Sequence, residues 1–166
     1  MTEIIFNTYY HSPIGLLKIV GTENYISEIS FFDKVQKTDS KLRKLPPNLI
    51  NCVEQLIQYF NGASRKFEIP LNQTGTHFQQ NVWNALLQIP YGKTFSYLEI
   101  AKRIGDAKAV RAVGTANGKN NIAIIVPCHR VIGSNHELVG YAGGLWRKKW
   151  LLEHEAKFAH GVQQLF

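Results

Sequence analysis

Short runs rich in Ile, Val, Phe and Tyr, separated by turn residues, open the chain. Ile4 to Tyr9, Leu16 to Gly21 and Tyr25 to Phe32 therefore read as three strands. Ser12-Pro13-Ile14-Gly15 and Thr22-Glu23-Asn24 supply the turns, and an antiparallel meander is the simplest arrangement. The charged stretch Asp33 to Lys44 reads as a loop. Beyond Pro46-Pro47-Asn48 the pattern turns helical: Ile50, Val53, Leu56, Ile57 and Phe60 recur at helical spacing, predicting a helix from about Leu49 to Phe60 that Asn61-Gly62 ends. Lys66 to Leu71 is a candidate fourth strand.

From Thr76 onward the pattern is mainly helical. Thr76 with Gln79 forms a capping-box pair ahead of Val82, Trp83, Leu86 and Leu87, and Ser96 with Glu99 opens a second helix through Ile104. Gly105 turns the chain, Asp106 is a candidate cap, and a third helix is predicted from about Lys108 to Asn117. This pair, joined by a short glycine-containing turn, has the layout of a helix-turn-helix. Its second member is rich in Ala109, Ala112, Gly114, Ala116 and Gly118, so something approaches its backbone closely. Either a neighbouring helix packs there, or the face enters a narrow groove with Arg111 as its single long side chain. Ile122 to Val126, apolar and rich in β-branched residues, reads as a buried strand that delivers Pro127-Cys128-His129-Arg130 to its rim. Gly140 to Leu145 is a glycine-rich loop without the spacing of a nucleotide-binding motif. Trp146 to Ala156 reads as a helix turning Leu145, Trp150, Leu151 and Leu152 inward, with Glu155 on its last turn and a loosely held tail from Lys157.

Composition narrows the class. The 166 residues, 45% hydrophobic and 19% charged, suit a folded protein of one domain or two small ones, with no membrane-length apolar run and no signal-peptide layout. A cytoplasmic location is expected, with Cys52 and Cys128 as free thiols. The net charge is +7, and its distribution is uneven: residues 93–149 hold 10 Lys+Arg against 3 Asp+Glu, whereas residues 1–92 hold 8 against 7. A cationic block that also carries Cys128 points to a polyanion, nucleic acid before membrane, with a merely solvated basic face as the alternative.

In an extended backbone the neighbours Cys128 and His129 point to opposite sides, which disfavours direct thiol–imidazole contact and leaves room for a bridging water. His129, turned inward, needs an acceptor for its other ring nitrogen. Cys52 has no companion at ligand spacing and reads as a packed apolar residue.

The run Pro127 to Gly133, preceded by Arg111-Ala112-Val113-Gly114 and Asn120 and followed by Gly140 to Leu145 and Leu151-Leu152-Glu153-His154-Glu155, resembles the O6-alkylguanine-DNA alkyltransferases over about residues 76–156. Over the first 75 residues the likeness is loose. The resemblance implies an amino-terminal ribonuclease-H-like antiparallel sheet with a flanking helix (residues 1–75), then a mainly helical, winged-helix-like domain containing the helix-turn-helix (76–166). It implies Cys128 as alkyl acceptor, with His129 and Glu155 linked to it through water and Asn120 helping to hold the site. It also implies that Arg111 enters the base stack from the minor groove, in an interface with Thr94, Ser96, Tyr97, Ala112 and Thr115. Tyr97, Val131, Tyr141 and Ala142 are implied to line the guanine pocket; relatives carry serine at the last position, and a backbone N–H can supply the same contact.

On this reading the partner is duplex DNA bearing O6-alkylguanine, with O4-alkylthymine as a second candidate, and the protein is a monomer, with cooperative binding along DNA as a candidate mode. The thioether product ends the reaction after one turnover. Neither cofactor nor metal is expected, since Cys52, His11 and His77 are too few for a typical structural zinc site. Two alternatives stand beside it: a helix-turn-helix regulator without catalysis, and a Cys-His hydrolase.

Overall fold

The computed structural model describes residues 2–33 and 44–161, so most of the predicted loop from Asp33 to Lys44 and the end of the tail lie outside the described residues. The chain divides into two compact units, Met1–Gln73 and Thr74–Phe166.

The first unit is an antiparallel meander of β1 (Phe6–Ser12), β2 (Gly15–Gly21) and β3 (Ile26–Phe31), with α1 (Pro47–Phe60) packed on it. Partners run from Phe6↔Gly21 to Ser12↔Gly15 and from Leu17↔Phe31 to Gly21↔Ile26, with a bulge at Val20/Gly21. Alternation buries Leu17, Ile19 and Ile29, and the bulge resets its phase so that Ile26 is buried too, as are Leu49, Cys52, Leu56, Tyr59 and Phe60 of α1. This helical stripe differs from the expected one: Ile50 and Ile57 are exposed, because the cysteine and the tyrosine complete the buried 3–4 spacing instead.

Nor does Lys66 to Leu71 form a strand. Leu71 makes a single parallel bridge to Ile26, and Pro70 contributes its carbonyl to Ile26 but has no N–H to extend a ladder. At Glu68 the carboxamide of Gln55 takes the place of a strand partner, accepting from the Glu68 N–H at 2.8 Å and donating to its carbonyl at 3.1 Å.

The second unit comprises α2 (His77–Leu86), β4 (Phe95–Ser96), α3 (Tyr97–Arg103), α4 (Val110–Gly118), a 3-10 turn at Cys128–Arg130, β5 (Val131–Ile132), a second such turn at Ser134–His136, and α5 (Leu145–His160). Both capping boxes form: Thr76 and Gln79 exchange bonds of 2.9 and 3.1 Å, and Ser96 and Glu99 bonds of 3.1 and 3.3 Å. Trp83 then donates its indole N–H to the Ala116 carbonyl at 2.9 Å, fixing α4 against α2. β4 and β5 pair in parallel, Phe95 with Val131 and Ser96 with Ile132, which brings the start of α3 beside the segment that follows the cysteine.

α4 starts at Val110 rather than Lys108: Asp106 accepts from the Lys108 N–H and caps a separate turn, so its side chain is spent before the helix begins. α5 is longer than expected at both ends. It reaches His160 and stops at Gly161, whose φ of 75° is the left-handed conformation of a helix C-cap. Its inward stripe is Lys148, Leu151, Leu152, Glu155 and Ala156, whereas Leu145 is 47% exposed. Among the described residues no helix is long and apolar enough to cross a membrane.

Candidate active site

Ile122 to Val126 is buried but is not the predicted strand. Ile124 adopts φ 72°, the Val126 N–H reaches the Ile122 carbonyl, and the Ile125 N–H reaches that of Ala123. The cause is Asn120. Its carboxamide accepts from the Ile122 N–H at 3.1 Å and donates to the carbonyls of Ile122 at 3.2 Å and Val126 at 2.9 Å, taking groups that a neighbouring strand would otherwise pair. The β-branched residues therefore report burial, not extension.

Folded back in this way, the chain enters the 3-10 turn with Cys128 as its first residue. The backbone here is not extended, so the opposed orientation expected of Cys128 and His129 does not apply. Asn117, on the last turn of α4, donates to the Cys128 carbonyl at 3.4 Å.

Cys128 is 7% exposed, and burial raises its thiol pKa. The Asn120 side chain, the Lys148 charge and the backbone N–H groups of Cys128 and His129 oppose that rise, because each favours the thiolate. His129 is fully buried, and its Nε2 lies 2.6 Å from Oε2 of Glu155 on α5. His129 and Arg130 hold the Glu155 carboxyl well below the usual carboxylate range, overcoming its burial. An ionised Glu155 only accepts, so Nε2 carries the proton, and the lone pair of the neutral ring is on Nδ1. Nδ1 has no hydrogen-bond partner among the described residues. Burial lowers the His129 pKa, with Glu155 opposing.

Two cations in this site escaped the sequence reading. Arg130 forks onto Glu155 through Nε at 2.7 Å and Nη2 at 3.1 Å, and donates through Nη1 to the Ile89 carbonyl at 2.7 Å. Lys148 is fully buried and donates to the carbonyls of Val131 at 2.6 Å, Val139 at 2.9 Å and Gly140 at 3.2 Å; burial pushes its pKa down to about 8. The signal for Lys148 was helical spacing: it stands seven residues before Glu155, on the stripe of Leu151 and Leu152. As one of three consecutive cations it reads instead as part of the basic surface.

Of the four predicted pocket residues, Val131, Tyr97 and Tyr141 lie by this point. The Val131 carbonyl is held by Lys148, and Tyr97 donates its hydroxyl to the Val139 carbonyl at 3.0 Å. Tyr141 has its pKa raised by burial and by the Cys128 charge, which puts its hydroxyl in the field of the sulfur, while Ala142 is exposed on the glycine loop.

The predicted interface residues lie on α4 and at the start of α3. Arg111, Ala112 and Thr115 are exposed on α4, Thr94 and Ser96 are half-buried, and the Ser96 hydroxyl is engaged in capping α3. A Cβ at Gly114 would meet only the Tyr97 ring at 3.8 Å, an ordinary contact, and one at Gly118 would meet nothing within 4 Å. Packing among the described residues therefore explains neither glycine. Among those residues no three His, Cys, Asp or Glu side chains gather as metal ligands.

Comparison with known proteins agrees with this architecture. Residues 77–157 match the family description "6-O-methylguanine DNA methyltransferase, DNA binding domain", and residues 5–73 match "6-O-methylguanine DNA methyltransferase, ribonuclease-like domain". The chain belongs to the O6-alkylguanine-DNA alkyltransferase family. It is 50% identical over 146 residues to the methylated-DNA–protein-cysteine methyltransferase of Mycobacterium leprae, covering 87% of this chain and 88% of that one. The constitutive enzyme of that name from Bacillus subtilis is 45% identical over 143 residues, 83% of this chain and 87% of its own. Among solved structures, the Mycobacterium tuberculosis O6-methylguanine methyltransferase superposes with a TM-score of 0.82 at 44% identity, covering 93% of this chain and 94% of that one. Mycobacterium tuberculosis OGT in complex with DNA gives 0.81 at 47% identity, covering 90% and 92%.

Proposed function

We infer that this protein is a DNA-repair methyltransferase that moves the alkyl group of O6-alkylguanine in duplex DNA onto Cys128. The observation that carries the reading is the buried imidazole–carboxylate contact of 2.6 Å next to a buried thiol at the head of a 3-10 turn. Burial keeps the thiol protonated at neutral pH, so attack needs a base, and His129 has its Nδ1 lone pair for that purpose. A water between Sγ and Nδ1 relays the proton. The thiolate then attacks the sp3 carbon on O6: the S–C bond forms, the C–O6 bond breaks, and the electron pair leaves on guanine. The proton taken by His129 returns to the base, giving guanine and a thioether. A thioether has no carbonyl for water to attack, so each molecule reacts once and needs no cofactor.

The target atom lies inside the duplex, hence the nucleotide is extruded, at a cost of a few kcal/mol. The low, open face of α4 supports close approach to a minor groove with Arg111 filling the vacated space, and Thr94, Ser96, Tyr97, Ala112 and Thr115 lie along the same contact. Tyr141, Val131 and Ala142 wall the base pocket. Residues 76–166 act as the DNA-binding and catalytic domain, in a monomer working in the cytoplasm. Regulation without catalysis leaves the buried His129–Glu155 pair unused. A Cys-His hydrolase leaves the basic helix pair unused.

Incubation with an oligonucleotide containing O6-methylguanine should add one CH2 to the intact mass, mapping to the Cys128 peptide. Addition elsewhere, or none, rejects the assignment.

A further inference from the structure

Arg130 has no part in the proton relay described above, yet it makes more contacts to Glu155 than His129 does. Its Nε and Nη2 reach the two carboxylate oxygens at 2.7 and 3.1 Å, and its Nη1 is anchored on the Ile89 carbonyl at 2.7 Å. The Gly92 N–H adds a fourth donor to Glu155 at 3.3 Å. Both charged partners are buried, Arg130 to 7% exposure and Glu155 to 1%.

A buried carboxylate facing only an imidazole draws a proton onto the ring, because an imidazolium–carboxylate pair is favoured over a lone buried anion. In that state both ring nitrogens donate and neither can take the thiol proton. A guanidinium forked on the same carboxylate already balances its charge, and protonating the ring would then leave an excess cation in a buried site that also holds Lys148. We propose that Arg130 is a positioning residue of the transfer reaction: by sharing Glu155 with His129 it holds the imidazole in the neutral Nε2–H form, with Nδ1 open to the proton of Cys128. The proposal rests on the function inferred above.

Glu155 and Lys148 face His129 from α5, and Cys128 and Arg130 from its own turn. Tyr141 stands in the field of Cys128 and Glu155, and α2 packs on the turn with a single titratable side chain, the exposed His77. Arg130 and Lys148 both lower the His129 pKa, the direction the proposal needs.

The test is the pH dependence of single-turnover methyl transfer from duplex DNA. In Arg130→Gln the midpoint of the acid limb should move to higher pH by about one unit, since loss of a nearby cation makes the relay hold its proton more tightly. Arg130→Lys should keep the wild-type midpoint while lowering the plateau, because an ammonium restores the charge without the fork. A Gln variant with a lower plateau and an unmoved midpoint overturns the proposal and leaves Arg130 as a structural brace. Should the Gln variant not fold, imidazole 15N shifts of wild-type protein decide: a neutral Nε2–H ring for His129 at pH 7 supports the proposal, and an imidazolium overturns it. Wild-type protein that accepts no methyl group at Cys128 instead rejects the underlying function, whatever the state of its imidazole.

Discussion

The two cysteines are both buried, and everything around them differs. Cys52 sits on α1 among the apolar residues that cover the sheet, and burial alone drives its pKa up to about 12. Cys128 suffers the same penalty, but an amide, a cation and two backbone N–H groups push back. The contrast extends to the units that hold them. Asn117, His129, Arg130, Arg147, Lys148, His154 and Glu155 are buried in the second unit, whereas Thr22 is the buried polar residue of the first, among the described residues. A regular sheet and helix close on themselves with apolar contacts. The short irregular segments of the second unit leave carbonyls that buried cations must satisfy, and those cations are what distinguishes a reactive thiol from a packed one.

Replacing each thiol gives the largest expected effect. Cys128→Ala should abolish methyl acceptance while leaving DNA affinity close to wild type. Cys52→Ala should transfer at the normal rate and lose about 1 kcal/mol of stability, for the small cavity it leaves. Methyl acceptance surviving in the first variant, seen by intact mass, would mean that the two cysteines have been assigned the wrong way round.

Lys148 sharpens the same contrast. Methionine in its place fills much of the volume but gives no donor to Val131, Val139 and Gly140, and water has no ready access there. We expect Lys148→Met to lose about 2 kcal/mol of stability in denaturant titrations. Transfer should slow about tenfold, the equivalent of one pKa unit of support for the thiolate. A variant matching wild type in both measurements would reduce Lys148 to a space-filler, and the Cys128 surroundings would then owe nothing to its charge.

Much of the fold was legible because the local signals are stereochemical. Turn residues between short β-branched and aromatic runs marked the meander, and the Thr76–Gln79 and Ser96–Glu99 boxes located two helix starts to the residue. The reading failed where side chains replace backbone partners. Asn120 holds Ile122 to Val126 in a turn that the apolar composition alone presents as a strand, and Gln55 does the same for Glu68. In the site, the contact between His129 and Glu155 was legible only through the family resemblance, since no local rule joins residues 26 apart in sequence. Lys148 was missed for the opposite reason: a cation reads as surface unless its helical position is weighed against its apolar neighbours, whereas Arg130 was placed at the rim beside Cys128 without the distant partner, Glu155, that gives it a role.

The smallest expected effect separates the units by acid. The His129 pKa lies below its ordinary value, so as pH falls below about 6.5 the unfolded chain takes up a proton that the folded one does not. Stability is therefore lost from that point down to the folded pKa, by at most about 1.4 kcal/mol per pH unit. Glu155, whose folded pKa is depressed, adds its own loss as pH drops below about 4.3 and on through its folded value. In the first unit Tyr10, Tyr25 and Cys52 have raised pKa values and stay protonated throughout that range. All three tryptophans, Trp83, Trp146 and Trp150, lie in the second unit, so their fluorescence reports its unfolding alone. The urea midpoint followed by tryptophan should fall between pH 7 and pH 5. A flat midpoint would mean that His129 is already protonated in the folded protein, and the base that makes Cys128 unlike Cys52 would be missing.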